Sequence, residues 1–245
     1  MKTKASVWQF LSVVICLCAS TLSAQTWDIR TDWSNSNNPN GPWSLRFGNG
    51  SVLPGSSISG GWSVPQPVWG SIPGGWFKSN GAETVPHDWL QGDIITHTED
   101  SGDPNLSMVI RWQSPINGVV KVTGDLWWGG VPDQFFRAND WAVDVNGAFV
   151  TGGVGTVGSG SGRGRGNPIL FSEGTGSPGA LSLLTVHVGD EIDLVVSRNI
   201  GSFGGNGAYT GENFTITSIP EPVSIMLLSM GGTLLLLRRG MRQKQ

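Results

Sequence analysis

The segment Trp141-Ala142-Val143-Asp144-Val145-Asn146-Gly147-Ala148-Phe149-Val150 decides the fold class. Apolar and polar residues alternate on both sides of Asn146-Gly147. An Asn-Gly pair between two such runs favours a two-residue hairpin turn, because both central residues of that turn take positive φ. Neighbouring segments carry the same signal. Met108-Val109-Ile110-Arg111-Trp112 leads through Pro115 and Asn117-Gly118 into a strand-forming run at 119–127. Residues 181–188 turn at Gly189-Asp190 into Ile192-Asp193-Leu194-Val195-Val196, and residues 214–219 form a last strand. Strands at this spacing, with no helical stretch between them, predict an all-β fold, an antiparallel β-sandwich or jelly roll over residues 25–218.

Composition agrees. The 245 residues include 37 Gly and 14 Pro but only 15 Lys+Arg and 18 Asp+Glu, too few helix formers for long amphipathic helices. The formal net charge of -3 is spread thinly, so the basic footprint that a phosphate backbone requires is missing and nucleic acid is not an expected partner. Both cysteines, Cys16 and Cys18, lie in the N-terminal apolar segment. Once that segment is removed, no thiol remains for a disulfide or a Cys-ligated metal. The bulky Val14-Ile15 before Cys16 and Leu17 before Cys18 do not fit a lipidation signal.

The two ends read as targeting signals. Lys2 and Lys4 precede an apolar stretch at 7–18 and the small or polar residues 19–24, which is the pattern of a signal peptide cleaved after Ala24. At the other end Ile219-Pro220-Glu221-Pro222 precedes a mostly apolar run at 223–237 and the basic cluster Arg238-Arg239-Gly240-Met241-Arg242-Gln243-Lys244. As a helix this run reaches about 22 Å, short of a ~30 Å hydrocarbon core, so spanning needs local thinning or help from its flanks. The basic cluster places the C-terminus in the cytoplasm and residues 25–219 outside.

Pro220-Glu221-Pro222, the apolar run and the terminal Arg238-Arg239 cluster together resemble the PEP-CTERM sorting signal, also known as the ice-binding protein C-terminal motif. The resemblance covers residues 219–245. It implies recognition and cutting by an exosortase after signal peptidase has acted, and delivery from an inner-membrane-anchored precursor to the cell surface or an exopolysaccharide matrix. The folded region also resembles a β-sandwich module found in PEP-CTERM proteins. The matches are Asn38-Pro39-Asn40-Gly41-Pro42-Trp43-Ser44 as an opening motif, Val109-Ile110-Arg111-Trp112 as a core strand, Val143-Asp144-Val145-Asn146-Gly147 as a hairpin and Gly189-Asp190-Glu191-Ile192-Asp193-Leu194-Val195-Val196 as a late strand pair. This second resemblance implies fold and setting, and no catalytic residues.

Residues 45–105 are less regular. Within them Ser57-Ile58-Ser59-Gly60-Gly61-Trp62 is echoed by Ser71-Ile72-Pro73-Gly74-Gly75-Trp76, which marks two similar turns or a hairpin. The 12 tryptophans are the unusual feature of the chain. Most are expected to fill the core, but an indole face also stacks on the C–H face of a sugar. Trp62 and Trp76 sit among turns. The pair Trp127-Trp128 must point to opposite faces of a strand, so one of the two is exposed or covered by a loop. Trp62, Trp76 and Trp128 are therefore the candidate ligand-binding residues.

Other motifs read as structural. Gly153-Val154-Gly155-Thr156-Val157-Gly158 matches G-x-G-x-x-G, but Ser159-Gly160-Ser161-Gly162 follows where a helix should open, so a flexible loop is expected and no nucleotide. Arg163-Gly164-Arg165-Gly166 reads as a solvated basic spot. Glu99-Asp100-Ser101-Gly102-Asp103 lacks the spacing of a Ca²⁺ loop and reads as an acidic turn. His87, His97 and His187 have no nucleophile motif beside them, and His187 falls in a predicted strand. The expectation is a non-catalytic module, without cofactor, that binds polysaccharide or builds matrix. The alternative is a secreted glycan-active hydrolase whose paired carboxylates are set by spatial separation, which sequence does not show.

Overall fold

A computed structural model describes residues 23–59, 62–130, 136–201 and 206–220. Its strands, in chain order, are β1 (Thr26–Asp28), β2 (Trp43–Phe47), β3 (Gly55–Ile58), β4 (Gln66–Gly70), β5 (Gly75–Lys78), β6 (Ile94–His97), β7 (Met108–Gln113), β8 (Gly118–Trp128), β9 (Ala138–Val145), β10 (Ala148–Gly158), β11 (Ile169–Leu170), β12 (Thr175–Gly176), β13 (Leu184–Val186), β14 (Glu191–Arg198) and β15 (Tyr209–Ile219). The described helical segments are short 3₁₀ turns, η1 (Pro104–Leu106), η2 (Phe171–Glu173) and η3 (Pro178–Ser182). Among the described residues no helix is long and apolar enough to cross a membrane. The apolar stretches at 7–18 and 223–237, with Glu221, Pro222, Arg238 and Arg239, lie outside the described residues.

Residues Thr26–Ser218 form one compact unit of two antiparallel sheets. The larger has the order β11-β8-β15-β6-β5-β4-β3, with β1 also paired to β15 and β13 to β8; the smaller has the order β12-β10-β9-β14-β7-β2. The deciding hairpin is β9–β10, where Asn146 (φ 50°) and Gly147 (φ 76°) both take the left-handed backbone that a two-residue turn demands.

Period-two alternation builds the core. In β14, Ile192, Leu194 and Val196 point between the sheets, and in β7 Met108, Ile110 and Trp112 do the same; they meet Val120, Val122 and Leu126 of β8 and Phe214 and Ile216 of β15. On the opposite side of the smaller sheet, Arg111 donates to both Asp193 oxygens at 2.8 Å from the neighbouring strand and pairs with Glu191 at 2.6 Å. Burial, and the negative charge of Asp193 beside it, push the Asp144 carboxyl up. A second apolar cluster lies on the outer face of the larger sheet, where Ile58, Val68, Phe77, Ile95 and Trp127 pack with Trp89 of the 79–93 loop.

Four expectations are corrected. Residues 181–188 are not one strand: η3 ends at Ser182, β13 spans only Leu184–Val186, and β13 pairs with β8 in the larger sheet while β14 lies in the smaller. Gly189-Asp190 thus carries the chain between sheets instead of closing a hairpin. The cause is visible in Leu181-Ser182-Leu183, where Pro178 starts a 3₁₀ turn and Leu181 fills the core while Leu183 is exposed. His187 follows β13 as an exposed residue, its Nδ1 3.5 Å from Asp190. The glycine-rich 153–158 segment is strand, interrupted by an irregularity between Gly153 and Val157 at which the Gly155 N–H donates to Asp140 Oδ1 at 2.5 Å. Finally, Arg165 is not merely solvated, since its Nε donates to the buried Asp93 at 2.6 Å. The irregular 45–105 region contains β3–β6; Ser57 and Ile58 of the first echoed motif end β3, and the second motif runs through the β4–β5 turn into β5 at Gly75 and Trp76.

Candidate functional site

Trp62, Trp128 and Tyr209 wall a pocket of about 260 Å³, completed by Val85, Pro86, Gly130, Arg137 and Ala208. Each arrives by a local rule. Trp128 ends β8, one position after Trp127, whose ring packs outward under the 79–93 loop and donates from Nε1 to the Asp88 carbonyl at 2.8 Å. Trp127 is therefore the member of the pair covered by a loop, while Trp128, at the end of the strand and only 6 % exposed, lines the pocket. Gly130 must lack a side chain, because a Cβ there would sit 2.6 Å from the Trp128 ring. Tyr209 opens β15 and packs on the face that carries Phe77 and Trp89. Trp62, half-buried, stands edge-on to Tyr209 at 5.8 Å and to His97 at 5.5 Å.

Behind these rings lies a second aromatic layer. His97 packs edge-on against Tyr209 at 4.5 Å, Trp89 lies 5.0 Å from Tyr209, and His87 stacks on Trp89 at 4.2 Å. The loop that brings Val85, Pro86 and Trp89 to the site is tied down by carboxylates. Glu83 accepts from Gln66, Ser79 and the Asn80 N–H, and Asp93 pairs with Arg30 and Arg165. Burial alone would push the Glu83 carboxyl up, but its hydrogen bonds outweigh that and hold it low.

Electrostatically the pocket is quiet. His97 is 1 % exposed, and burial pulls its pKa down to about 4. It is neutral, with Nδ1 donating to the Thr98 carbonyl at 2.8 Å and Nε2 buried without a partner. Burial first, and the Glu83 charge second, hold the Tyr209 hydroxyl far above its ordinary value, so it stays protonated. Arg137 donates to the Gly207 carbonyl at 3.0 Å. This set offers ring faces and edges, a phenol and a guanidinium; it offers no open base beside a nucleophile.

Of the three sequence-predicted ligand residues, Trp62 and Trp128 meet in the pocket. Trp76 is corrected: it is 0 % exposed and lies in the inner core opposite Trp69. The Gly74-Gly75 turn before it is a tight hairpin, in which a Cβ on Gly75 would come 2.3 Å from the Ser71 carbonyl, and alternation then sends Trp76 inward and Phe77 outward. Of the sorting residues, Pro220 is the last one described. The sequence reading missed Tyr209, which is the single tyrosine of the chain, and Arg137. A start of the last strand at Tyr209 is hidden by Gly211 and Glu212, which break the apolar pattern.

The remaining charged clusters are structural. Asp103 caps η1 through the Asn105 N–H, and Asp100 accepts from the Gly207 N–H at 2.6 Å and, by its carbonyl, from Arg198. No group of three or more metal-ligating side chains is assembled among the described residues. The carboxyls of Asp93 and Glu212 are sealed, one paired with two arginines and the other fully buried.

The chain matches no family model and no curated protein. Among solved structures it is similar to a family 35 carbohydrate-binding module from Clostridium thermocellum, at 11 % identity and a TM-score of 0.28, over 72 % of this chain and 98 % of that one. It is also similar to the catalytic domain of a GH87 alpha-1,3-glucanase in complex with nigerose, at 10 % identity and a TM-score of 0.27, over 75 % of this chain and 29 % of that one. TM-scores this low establish neither a common fold nor a common activity.

Proposed function

We propose that the protein is an exported, exosortase-processed component of the cell surface or extracellular matrix, whose folded region is a non-catalytic module that takes a sugar ring between Trp62, Trp128 and Tyr209. The observation that carries the binding half is the pocket itself. Two indoles and a phenol converge on about 260 Å³, with the Arg137 guanidinium also in the lining. Pockets for drug-sized ligands run from roughly 300 to 1,000 Å³, so this one suits a single ring or a chain end. Aromatic walls with few polar groups suit the apolar C–H face of a sugar. The repeated passage of the chain from one sheet to the other between β7 and β15 supports reading the sandwich as a jelly roll, whose loops and faces commonly present ligand sites.

For binding, Trp62→Ala in the purified full chain is expected to weaken glycan binding at least tenfold in an array of mono- and oligosaccharides, with the thermal midpoint lowered by only about 2–4 °C. Equal binding by wild type and variant would remove the pocket from consideration, and turnover of any glycan would favour the hydrolase.

The sorting half rests on the resemblance of residues 219–245. A variant with Pro220, Glu221 and Pro222 all changed to alanine is expected to remain as uncut precursor in the membrane fraction; normal cutting and release would sink the exosortase assignment.

A further inference from the structure

The outer face of the larger sheet is divided. The 79–93 loop covers the apolar half around Phe77, Ile95 and Trp127. The half made by β1, β15 and β8 is polar: Lys121, Thr123 and Asp125 project from alternate positions of β8, Asn213 and Thr215 from β15 and Asp28 from β1. Bordered by η2 and η3, these side chains line a trough of about 750 Å³, nearly three times the volume of the aromatic pocket.

The row is held in place by its own hydrogen bonds. Asn213 Nδ2 donates to Asp125 Oδ1 at 2.9 Å, and Thr215 Oγ1 donates to Asp28 Oδ2 at 2.8 Å. Asp28 Oδ1 accepts from the Arg30 and Thr31 N–H groups at 2.9 and 3.1 Å. Each bond leaves capacity over: the second oxygen of Asp125, the amide oxygen of Asn213 and the lone pairs of Thr215. Among the described residues the side chains of Lys121 and Thr123 have no partner. The charges balance, Arg30 and Lys121 against Asp28 and Asp125, so an ionic ligand gains little. Fixed acceptors interspersed with donors match the hydroxyls of a neutral sugar chain. Strands lie ~4.8 Å apart, so the row from β8 across β15 to β1 spans about 10 Å, suited to a run of linked rings.

We infer that this trough is a second carbohydrate site, holding an internal stretch of a neutral polysaccharide by hydrogen bonds without aromatic stacking. It rests on the reading above for the class of ligand, but on different residues for its place. The test measures retention of the full chain in native gels containing dextran, laminarin or xylan, for wild type, Thr123→Trp, Asn213→Ala and Trp62→Ala. Thr123 is exposed, so the tryptophan fills the trough without entering the core. Thr123→Trp is expected to weaken retention at least tenfold with an unchanged thermal midpoint, and Asn213→Ala severalfold with a midpoint a few degrees lower because Asp125 loses its donor, both with unchanged binding of glucose or xylose.

Retention lost in Thr123→Trp and kept in Trp62→Ala supports the trough as a site separate from the pocket, and loss of glucose or xylose binding in Trp62→Ala alone then supports the pocket. Retention lost in Trp62→Ala and kept in both trough variants overturns the trough and leaves the pocket. Wild type retained by none of the three polymers overturns the trough, as does concentration-dependent self-association that Thr123→Trp abolishes, which would make this face a contact between copies.

Discussion

The stability of Glu212→Gln relative to wild type is expected to rise with pH from about 4.5 upward. Glu212 points inward from β15 next to Phe214, is 0 % exposed, and has neither carboxyl oxygen hydrogen-bonded. Burial, and then the charges of Asp125 and Asp93, hold its pKa well above the ordinary 4.5. Below pH 4.5 the folded and unfolded chains both carry the proton, and nothing is lost. Above it the unfolded chain releases the proton while the folded chain keeps it, so stability falls by about 1.4 kcal/mol per pH unit until the folded pKa is passed. Glutamine has no proton to release, and whatever its amide costs in the same place is independent of pH. Denaturant midpoints of the two proteins, taken at unit steps from pH 4.5 to 7.5, should therefore diverge at about that slope; parallel curves would mean that Glu212 is ionised in the fold.

This residue also marks the limit of what sequence reveals. Strands whose alternation is unbroken, β7, β8, β9 and β14, are legible with their hairpin turn, because half-burial imposes a period of two on the side chains. Connections are not. Asn117-Gly118 and Gly189-Asp190 look like hairpin turns, yet each joins a strand of one sheet to a strand of the other, and local turn chemistry does not say which sheet comes next. Glu212 and Gly211 conceal the start of β15, since a buried carboxylic acid and a glycine pressed against the Trp127 ring are tertiary necessities that read locally as loop. The pocket was half legible for the same reason. Abundant tryptophan pointed to Trp62 and Trp128, whereas Tyr209 and Arg137 come from chain segments that only the sheet order brings beside them.

Trp76→Ala is expected to cost about 3–5 kcal/mol of stability, the range for removing a large aromatic side chain from a packed interior. Trp76 and Trp62 end the two echoed motifs and look equivalent in sequence, but their surroundings differ. Trp76 has no exposed surface and packs in the inner core with Trp69 across the β4–β5 pair, so its loss leaves a cavity between the sheets. Trp62 is half-buried in the lining of the pocket, and its removal should cost only about 1 kcal/mol of stability. The Trp76 Nε1–H is buried without an acceptor, so Trp76→Phe, which deletes that donor while keeping a ring, should cost clearly less than the alanine variant. Urea unfolding of the three variants distinguishes the roles: a Trp76→Ala midpoint close to wild type, or a loss for Trp62→Ala as large as for Trp76→Ala, would contradict the assignment of one ring to the core and the other to the pocket.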